Sequence, residues 1–403
     1  MKVQYIAIAF LEAFFLPALL QAQISFNVAQ REVQIHGFLS EGFASSNDNN
    51  YLTMGTSSGS FFTELGTNIS SKLTDKLRVG GQAYGRDIGE LGDGKVYLDW
   101  ASADFRWKDW LGVRAGKVKT TVGLYTDTQD QEFLHTWALL PQSVYPIDLR
   151  SITVAHVGGD IYGTFGIKRA GSLSYTVFSG SLPSDPRGGF VYGLAAQGLK
   201  LRSDIKASMT GIDLRWTAPK AGLMAGAALD YGHASFDATR GASPLPLSYS
   251  TKTGRTTAFY GQYTLRNFQA EAEYRHQTRR AEIDANTPAH PAVAKPGSDE
   301  PAWFVSGAYR FSKWMEIGSY YSHYHVTLIN PVTPVTGIGR DHVYDKSVTV
   351  RFDLTQFFDF KIEGHFMNGV GSPALAHGFY PQQNPQGFLP NTNMLVIRTG
   401  LYF

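Results

Sequence analysis

Apolar and polar residues alternate along this chain in stretches of about ten, and this two-residue period constrains the fold more than any other feature. In residues 270–279 (AEAEYRHQTR), one face is small and aromatic, whereas the other carries charged and polar side chains. Residues 348–354 and 358–366 repeat the arrangement. Strands with one apolar and one polar face are typical of a transmembrane antiparallel β-barrel with a lipid-facing exterior and a water-facing interior.

Short and long connections alternate between these stretches. The short ones predict seven hairpins, and a first strand at 33–44 and a last strand at 392–403 bring the total to sixteen, an even number that allows closure. The short turns are predicted around residues 73–75, 107–110, 169–172, 218–222, 266–267, 312–313 and 355–357. The long, polar, Gly- and Pro-containing loops are predicted at 45–60, 88–94, 119–158, 180–207, 232–255, 280–301, 326–342 and 367–391.

Two local features refine this all-β prediction. The strand phase breaks near residues 100–104, because Asp99 and Asp104 fall on opposite faces, and we expect a β-bulge there. Aromatic residues flank the short turns, as in the girdle at a membrane–water boundary, although core aromatics of a soluble sandwich are an alternative. These aromatics are Trp107, Trp110, Phe311, Trp314, Phe357 and Phe358.

The chain termini predict export. Lys2 precedes an apolar run at 6–20, so residues 1–22 fit a secretory signal peptide with cleavage after Ala22. The run is shorter than the ~20 apolar residues that a spanning helix needs. Residues 23–403 then form a single β-barrel domain, and their apolar last strand, which ends on Phe403, resembles the assembly signal of outer-membrane proteins.

The composition excludes some classes of protein. The chain contains no cysteine, so its stability must come from backbone pairing and packing rather than disulfides. A net charge of +2 argues against a nucleic-acid partner, which requires a concentrated basic face. We expect a protein that reaches the Gram-negative outer membrane through the periplasm and has membrane lipid as a partner.

Residues 116–125 (GKVKTTVGLY) resemble the strand-to-loop motif of the phosphate-selective porin O and P superfamily and of related uncharacterised proteobacterial porins. Residues 141–145 (PQSVY) and 158–163 (GGDIYG) are similar to the same proteins. The resemblance implies a homotrimeric porin that admits small hydrophilic solutes or ions by passive diffusion, with a long third loop folded into the lumen. The lysine-rich or arginine-ladder signature of phosphate selectivity is missing, so that specificity is not expected.

Charged residues near a constriction set the selectivity of a channel, because they change the local concentration of permeant ions. The candidates end the fifth strand and occupy both sides of the third loop, where opposed acids and bases would favour polar solutes. Ordinary solvated loop charges are the alternative interpretation. The candidate pore-lining residues are Arg114, Lys117, Lys119, Asp127, Asp130, Glu132, Asp148 and Arg150.

Enzyme and metal motifs are weak. Residues 55–59 match G-x-S-x-G, but they lie in a polar loop rather than between a strand and a helix. His323 and His325 share one face of a predicted strand, and two ligands do not make a metal site. We therefore expect no catalytic residues, metal or cofactor. The alternatives are a barrel enzyme of the phospholipase or protease type and a surface β-protein used in adhesion.

Overall fold

The computed structural model describes residues 24–28, 31–220, 222–241, 246–287, 290–332, 339–371 and 377–403, so the signal peptide predicted at 1–22 lies outside the described residues. The described strands form one antiparallel sheet. Their bounds are β1 Ile24–Val28, β2 Arg31–Ser46, β3 Ser60–Lys72, β4 Leu77–Asp87, β5 Val96–Lys108, β6 Leu111–Lys119, β7 Ala155–Gly166, β8 Ser172–Leu182, β9 Leu199–Leu201, β10 Lys206–Thr217, β11 Leu223–Arg240, β12 Pro246–Leu265, β13 Phe268–Thr287, β14 His290–Ala294, β15 Gly297–Ser312, β16 Met315–His325, β17 Thr327–Ile329, β18 His342–Thr355, β19 Phe358–Asn368 and β20 Asn391–Tyr402.

The sheet closes on itself. Strand β2 pairs with β3 on one side and with β20 on the other, so that Phe43 lies opposite both Phe61 and Ile397. Sixteen strands form the closed barrel, and the short strands β1, β9, β14 and β17 extend its hairpins. Closure leaves no unpaired edge among the described strands of the barrel wall, and the predicted sixteen-stranded fold is confirmed.

All seven short turns lie where the sequence predicts them, but the predictions of two long loops are wrong. Strands β11 and β12 continue to Arg240 and from Pro246, inside the loop predicted at 232–255. Strands β13 and β15 likewise enter the loop predicted at 280–301. These extensions are rich in polar residues, Gly and Pro, so their composition resembles a loop although the backbone pairing continues.

The predicted bulge is present. Gln82 on β4 pairs with Trp100, but the next residue, Ala83, pairs with Leu98, so Asp99 is the extra residue of β5. A bulge of this kind re-aims side chains near it. Asp99 is consequently buried, while Leu98 remains on the exposed outer face.

Exposure separates the two faces of the barrel strands. Val305, Val348 and Phe366 are 48%, 48% and 55% exposed, and these residues belong to the apolar face. Trp107, Trp110, Phe311 and Trp314 are also exposed and lie at the turns between strands, as expected for an aromatic girdle. The opposite face of the same strands holds the buried polar side chains.

The largest apolar cluster is built by the loops rather than by the sheet alone. Tyr51 of the first loop, Leu124 and Leu139 of the third loop and Phe379 of the last loop pack with Phe304 of β15. The described helices are short: α1 Arg150–Thr153, α2 Gly189–Ala196, and the 3-10 turns Thr56–Ser58, Glu132–Leu134, Ile147–Leu149, Lys168–Ala170 and Pro381–Gln383. Among the residues described, no helix has the length and apolarity needed to cross a membrane.

Candidate functional site

The inward face of β19 carries four ionisable side chains that are almost completely buried. Asp359, Lys361 and Glu363 expose none of their surface and His365 only 2%, although all four are ionisable. Buried charges are costly unless they are paired and hydrogen-bonded. The partners come largely from the long third loop, residues 120–154, which joins β6 to β7.

Glu363 binds the backbone of this loop directly. Its two carboxylate oxygens accept hydrogen bonds from the amides of Ala138 and Leu139, each at 2.9 Å. On the neighbouring strand, Arg398 donates to the Ala138 carbonyl at 2.8 Å. One carboxylate and one guanidinium therefore satisfy consecutive groups of a segment that has no sheet partner, which fixes its position.

On β13, two carboxylates receive tyrosines of the loop. Tyr125 donates to Glu271 and Tyr145 donates to Glu273. Glu273 also accepts the Leu124 amide at 2.9 Å and pairs with Arg275 at 2.9 Å. The sequence predicts that this polar face meets water, but Glu271 and Glu273 are buried by the loop instead.

On β4 and β5, the loop is held by charges. Arg150 donates to both oxygens of Asp99 at 2.8 Å, and its guanidinium lies 3.6 Å from the ring centre of Tyr84. Gln82 donates to Asp99 and to Asp130, both at 2.9 Å. The bulge at Asp99 thus places a carboxylate where Arg150 can bind it.

The eight candidate residues do not form one group. Lys119 pairs with Asp130 at 2.9 Å, and Glu132 pairs with Lys361. Three others have separate partners: Arg114 lies 3.3 Å from Asp160, Asp127 lies 3.2 Å from Arg215, and Asp148 accepts the Tyr380 hydroxyl at 2.6 Å. Lys117 donates to the Leu98 carbonyl at 2.6 Å.

A small cavity of about 40 Å³ lies between the third loop and strands β2, β3 and β20. The carboxylates of Glu64, Asp130 and Glu132 and the guanidinium groups of Arg150 and Arg398 line it. Arg398 pairs with Glu64 at 2.5 Å and lies 4.0 Å from Glu132. Three predicted residues, Asp130, Glu132 and Arg150, therefore meet at this cavity. They lie opposite one acidic and one basic residue of the wall, Glu64 and Arg398.

Glu64 and Lys361 are functional candidates that the sequence does not single out, whereas Asp99 was predicted only at the break in strand phase and Glu363 only on the water-facing side of its strand. Glu363 and Lys361 have the inward phase of an alternating strand, and this phase was the available signal. Nothing local in the sequence identifies their loop partners, because the Lys361–Glu132 and Glu363–Leu139 contacts join residues 229 and 224 positions apart.

Burial and charge change the protonation of the loop residues. Burial would raise the pKa of Glu132, but the cations of Lys361 and Arg398 hold that pKa below its ordinary value. Burial lowers the pKa of His135 to about 4. The Nε2 atom of His135 lies 2.9 Å from the carbonyl oxygen of Thr128, so the neutral ring donates this hydrogen bond.

The remaining motifs stay apart from this site. Ser57 of the G-x-S-x-G match is exposed in the first loop. His323 stacks between Trp303 and Tyr344, at 5.2 and 4.4 Å between ring centres, on the outer face of the barrel. Within the described ranges, no group of three or more His, Cys, Asp or Glu side chains is arranged to hold a metal ion.

A closed sixteen-stranded antiparallel barrel with these two faces has the fold of outer-membrane porins. The solved structures similar to the chain include OmpT of Vibrio cholerae, with a TM-score of 0.55 and 12% identity over 94% of this chain and 100% of that one. The anion-selective porin from Comamonas acidovorans has a TM-score of 0.54 and 10% identity, and covers 93% and 100% of the two chains. The channel DcaP of Acinetobacter baumannii has a TM-score of 0.54 and 8% identity, and covers 94% and 99%. No family model matches the sequence, and no curated protein matches it.

Proposed function

We propose that the protein is an outer-membrane porin through which small hydrophilic solutes or ions diffuse passively. The observation that carries this proposal is the sorting of side chains around a closed wall: apolar residues outside, and a dense set of paired charges inside. Such sorting suits a barrel with lipid on one side and an aqueous path on the other.

We infer that the third loop lies inside the barrel and narrows it. This inference is supported by the loop's bonds to inward side chains of strands far apart around the wall: Asp99 on β5, Glu273 on β13 and Glu363 on β19. A segment confined to the outer rim would not reach the buried charges of three such strands. The position of the charge-lined cavity then makes it the candidate constriction.

The charges at this cavity suggest how solutes are selected. Glu64, Asp130 and Glu132 stand against Arg150 and Arg398, so both signs are present around a narrow space. Opposed charges create a transverse field, which orients polar solutes and disfavours apolar ones. We propose weak ion selectivity, since neither sign predominates strongly.

Four finer points belong to the same proposal. Residues 1–22 act as a secretory signal peptide, and the mature chain crosses the periplasm to the outer membrane. The chain assembles as a homotrimer, which is supported by the trimer form of OmpT from Vibrio cholerae among the similar structures. Membership of the porin O and P superfamily rests on the motif at 116–125.

One buried group has the order of side chains that the enzyme alternative would require. Thr120 lies 3.1 Å from Nδ1 of His156, whose Nε2 lies 3.1 Å from Asp160, an order that resembles a nucleophile, base and acid. Thr120, His156 and Asp160 are 2%, 0% and 2% exposed, so a substrate has no access to the hydroxyl. We therefore assign this group a role in stabilising the start of the third loop.

Planar-bilayer recording of the purified protein tests the proposal. Stepwise ohmic conductance increases, with a reversal potential close to zero in a salt gradient, are expected of a weakly selective porin. Hydrolysis of phospholipid or peptide without conductance would support a barrel enzyme instead. Recovery of the protein as a detergent-independent soluble species would support the surface-protein alternative.

A further inference from the structure

A second, larger cavity of about 160 Å³ shares no lining residue with the charge-lined constriction, although Ser151 and Ile152, which follow Arg150 in the third loop, are part of its wall. Strands β11, β12 and β13 form its wall, and α2 with the rest of the fourth loop (residues 183–205) covers it. The long loops belong to the end of the barrel opposite the short turns, so this cavity lies towards the outer mouth. It is not used by the function proposed above.

The walls of this cavity are mainly apolar. Phe190 and Val191 of α2 face Tyr249 of β12, with Leu182 and Ile205 at the ends of the fourth loop. Cavities of roughly 150 Å³ with apolar walls hold a group of the size of benzene. The space therefore fits a branched or aromatic hydrocarbon group.

Arg279 supplies a free cationic group at one side. It lines the cavity, and its guanidinium group makes neither a hydrogen bond nor an ion pair within 4 Å in the part of the chain that the structure describes, although its backbone carbonyl accepts a hydrogen bond from Arg280. Glu300 is the carboxylate that interacts most strongly with Arg279, but it already accepts a hydrogen bond from Ser298. The guanidinium donors of Arg279 are thus available to an incoming carboxylate.

Asp230 supplies the opposite charge. It lines the same cavity, is 6% exposed, and lies opposite Thr256 of the neighbouring strand. Arg275 is the cation that interacts most strongly with Asp230, but it is already paired with Glu273 at 2.9 Å. Another carboxylate of the lining, Asp185, lies 3.9 Å from Arg86, so that pair is close to neutral.

The strand register fixes how far apart the two charges lie. Asp230 pairs with Thr256, Thr256 pairs with Gln277, and Arg279 follows Gln277 by two residues on the same face. The backbone positions are therefore two strands apart, about 10 Å, and about 7 Å along the strand direction. The long side chain of Arg279 can extend across this distance towards the short side chain of Asp230, so both charges can contact one small molecule between them.

We propose that this cavity binds zwitterionic α-amino acids with apolar side chains before they enter the constriction. Arg279 binds the carboxylate, Asp230 binds the ammonium group, and the pocket of Phe190, Val191 and Tyr249 holds the side chain. A simple anion would leave Asp230 unpaired, and a simple cation would leave Arg279 unpaired, and an unpaired buried charge is costly. The inference names the solute of the proposed porin and therefore rests on that function.

The test is calorimetric titration of the purified full-length protein in detergent with L-leucine, N-acetyl-L-leucine and L-leucinamide. Saturable binding of L-leucine is expected, with at least about tenfold weaker binding of the two blocked analogues, since each loses one charge-assisted contact. In Arg279→Gln, L-leucine should bind no better than L-leucinamide. In Asp230→Asn, it should bind no better than N-acetyl-L-leucine.

Arg280→Gln is the matched control, because Arg280 is the next residue, lies on the opposite face and pairs with Asp299 at 3.0 Å. Its affinity for L-leucine should equal that of the native protein. Absence of saturable L-leucine binding, or equal affinity in Arg279→Gln and the native protein, would overturn the inference. Bilayer conductance of the same preparation separates the two proposals. A protein that conducts ions but does not bind L-leucine refutes only the amino-acid site. A protein that binds L-leucine but does not conduct ions refutes the porin proposal.

Discussion

Arg150 of the third loop binds Asp99 of the barrel wall through two parallel hydrogen bonds of 2.8 Å, with both side chains almost fully buried. The pair exists because β5 has one extra residue at Asp99, which turns that carboxylate inward. A defect in strand pairing, visible in the sequence, thus becomes an attachment point for the loop that the porin proposal requires.

Removing one member of this pair should destabilise the protein strongly. Arg150→Gln leaves Asp99 buried without a cation, a loss that costs roughly 3–5 kcal/mol. The free energy of urea unfolding in lipid vesicles measures it. Arg106→Gln is the control: Arg106 and its partner Asp109 are 55% and 91% exposed, so a loss within about 1 kcal/mol is expected. Equal losses in the two variants would contradict the role given to the buried pair.

Glu363 should hold the third loop in place. In Glu363→Gln, one of the two amides from Ala138 and Leu139 meets an NH₂ group instead of an oxygen, which removes a charge-assisted bond worth about 1.5–3 kcal/mol. We expect faster cleavage of the loop by added protease and noisier, larger channel currents. Glu282→Gln, at a part-exposed pair with Lys252, should leave both unchanged. A quiet, protease-resistant Glu363→Gln channel would argue against this attachment.

Acid should loosen the loop through His135. Its pKa is lowered to about 4 when the loop is closed, against about 6.5 in an exposed chain, mainly because the ring is buried. The open state therefore binds more protons below pH 6.5, so closure is fully stable above that pH and weakens as the pH falls towards 4, by roughly 3 kcal/mol in total.

The measurement is the rate of protease cleavage of the third loop between pH 7 and pH 4. His135→Gln should have a flatter pH profile than the native protein, because glutamine does not titrate. Carboxylates that titrate near pH 4 affect both proteins, so the difference between the profiles reports His135. Identical profiles would exclude it as the acid-sensitive group.

Substitution of Lys119 and substitution of Asp130 should shift the ion selectivity of the channel in opposite directions. Lys119→Gln leaves the charge of Asp130 unbalanced beside the cavity, so the reversal potential in a salt gradient should move towards cations. Asp130→Asn leaves Lys119 unbalanced and should move it towards anions. Shifts of the same sign, or none, would remove this pair from the constriction.

The outer face of the barrel should tolerate a charged side chain only near the ends of the strands. Val177 lies mid-strand on β8 and is 41% exposed among other apolar residues, so Val177→Arg should cost about 2–4 kcal/mol of unfolding free energy in lipid. Leu173→Arg, on the same face beside the short turn, should cost about 0–1 kcal/mol. Similar costs at both positions would mean that this face does not contact hydrocarbon.

The sequence alone determined the barrel. Alternation with a two-residue period assigns each strand residue to one face, and turn residues mark where the chain reverses, so strand number, short turns and the bulge at Asp99 were all predictable. The predictions of loops at 232–255 and 280–301 were wrong, because polar residues, Gly and Pro interrupt the alternation there. Pairing of β11 with β12 and of β13 with β15 continues there through backbone bonds that do not depend on side chains.

Only the tertiary structure decided the site. The sequence placed Asp130, Glu132 and Arg150 in a long third loop, but their partners Gln82, Lys361 and Asp99 lie on three different strands. Alternation shows that a charge points inward and not what it meets there, because the fold brings together residues that are 48 to 229 positions apart. The path of the third loop through space decides which inward charges are neutralised and which, such as Arg279, stay free.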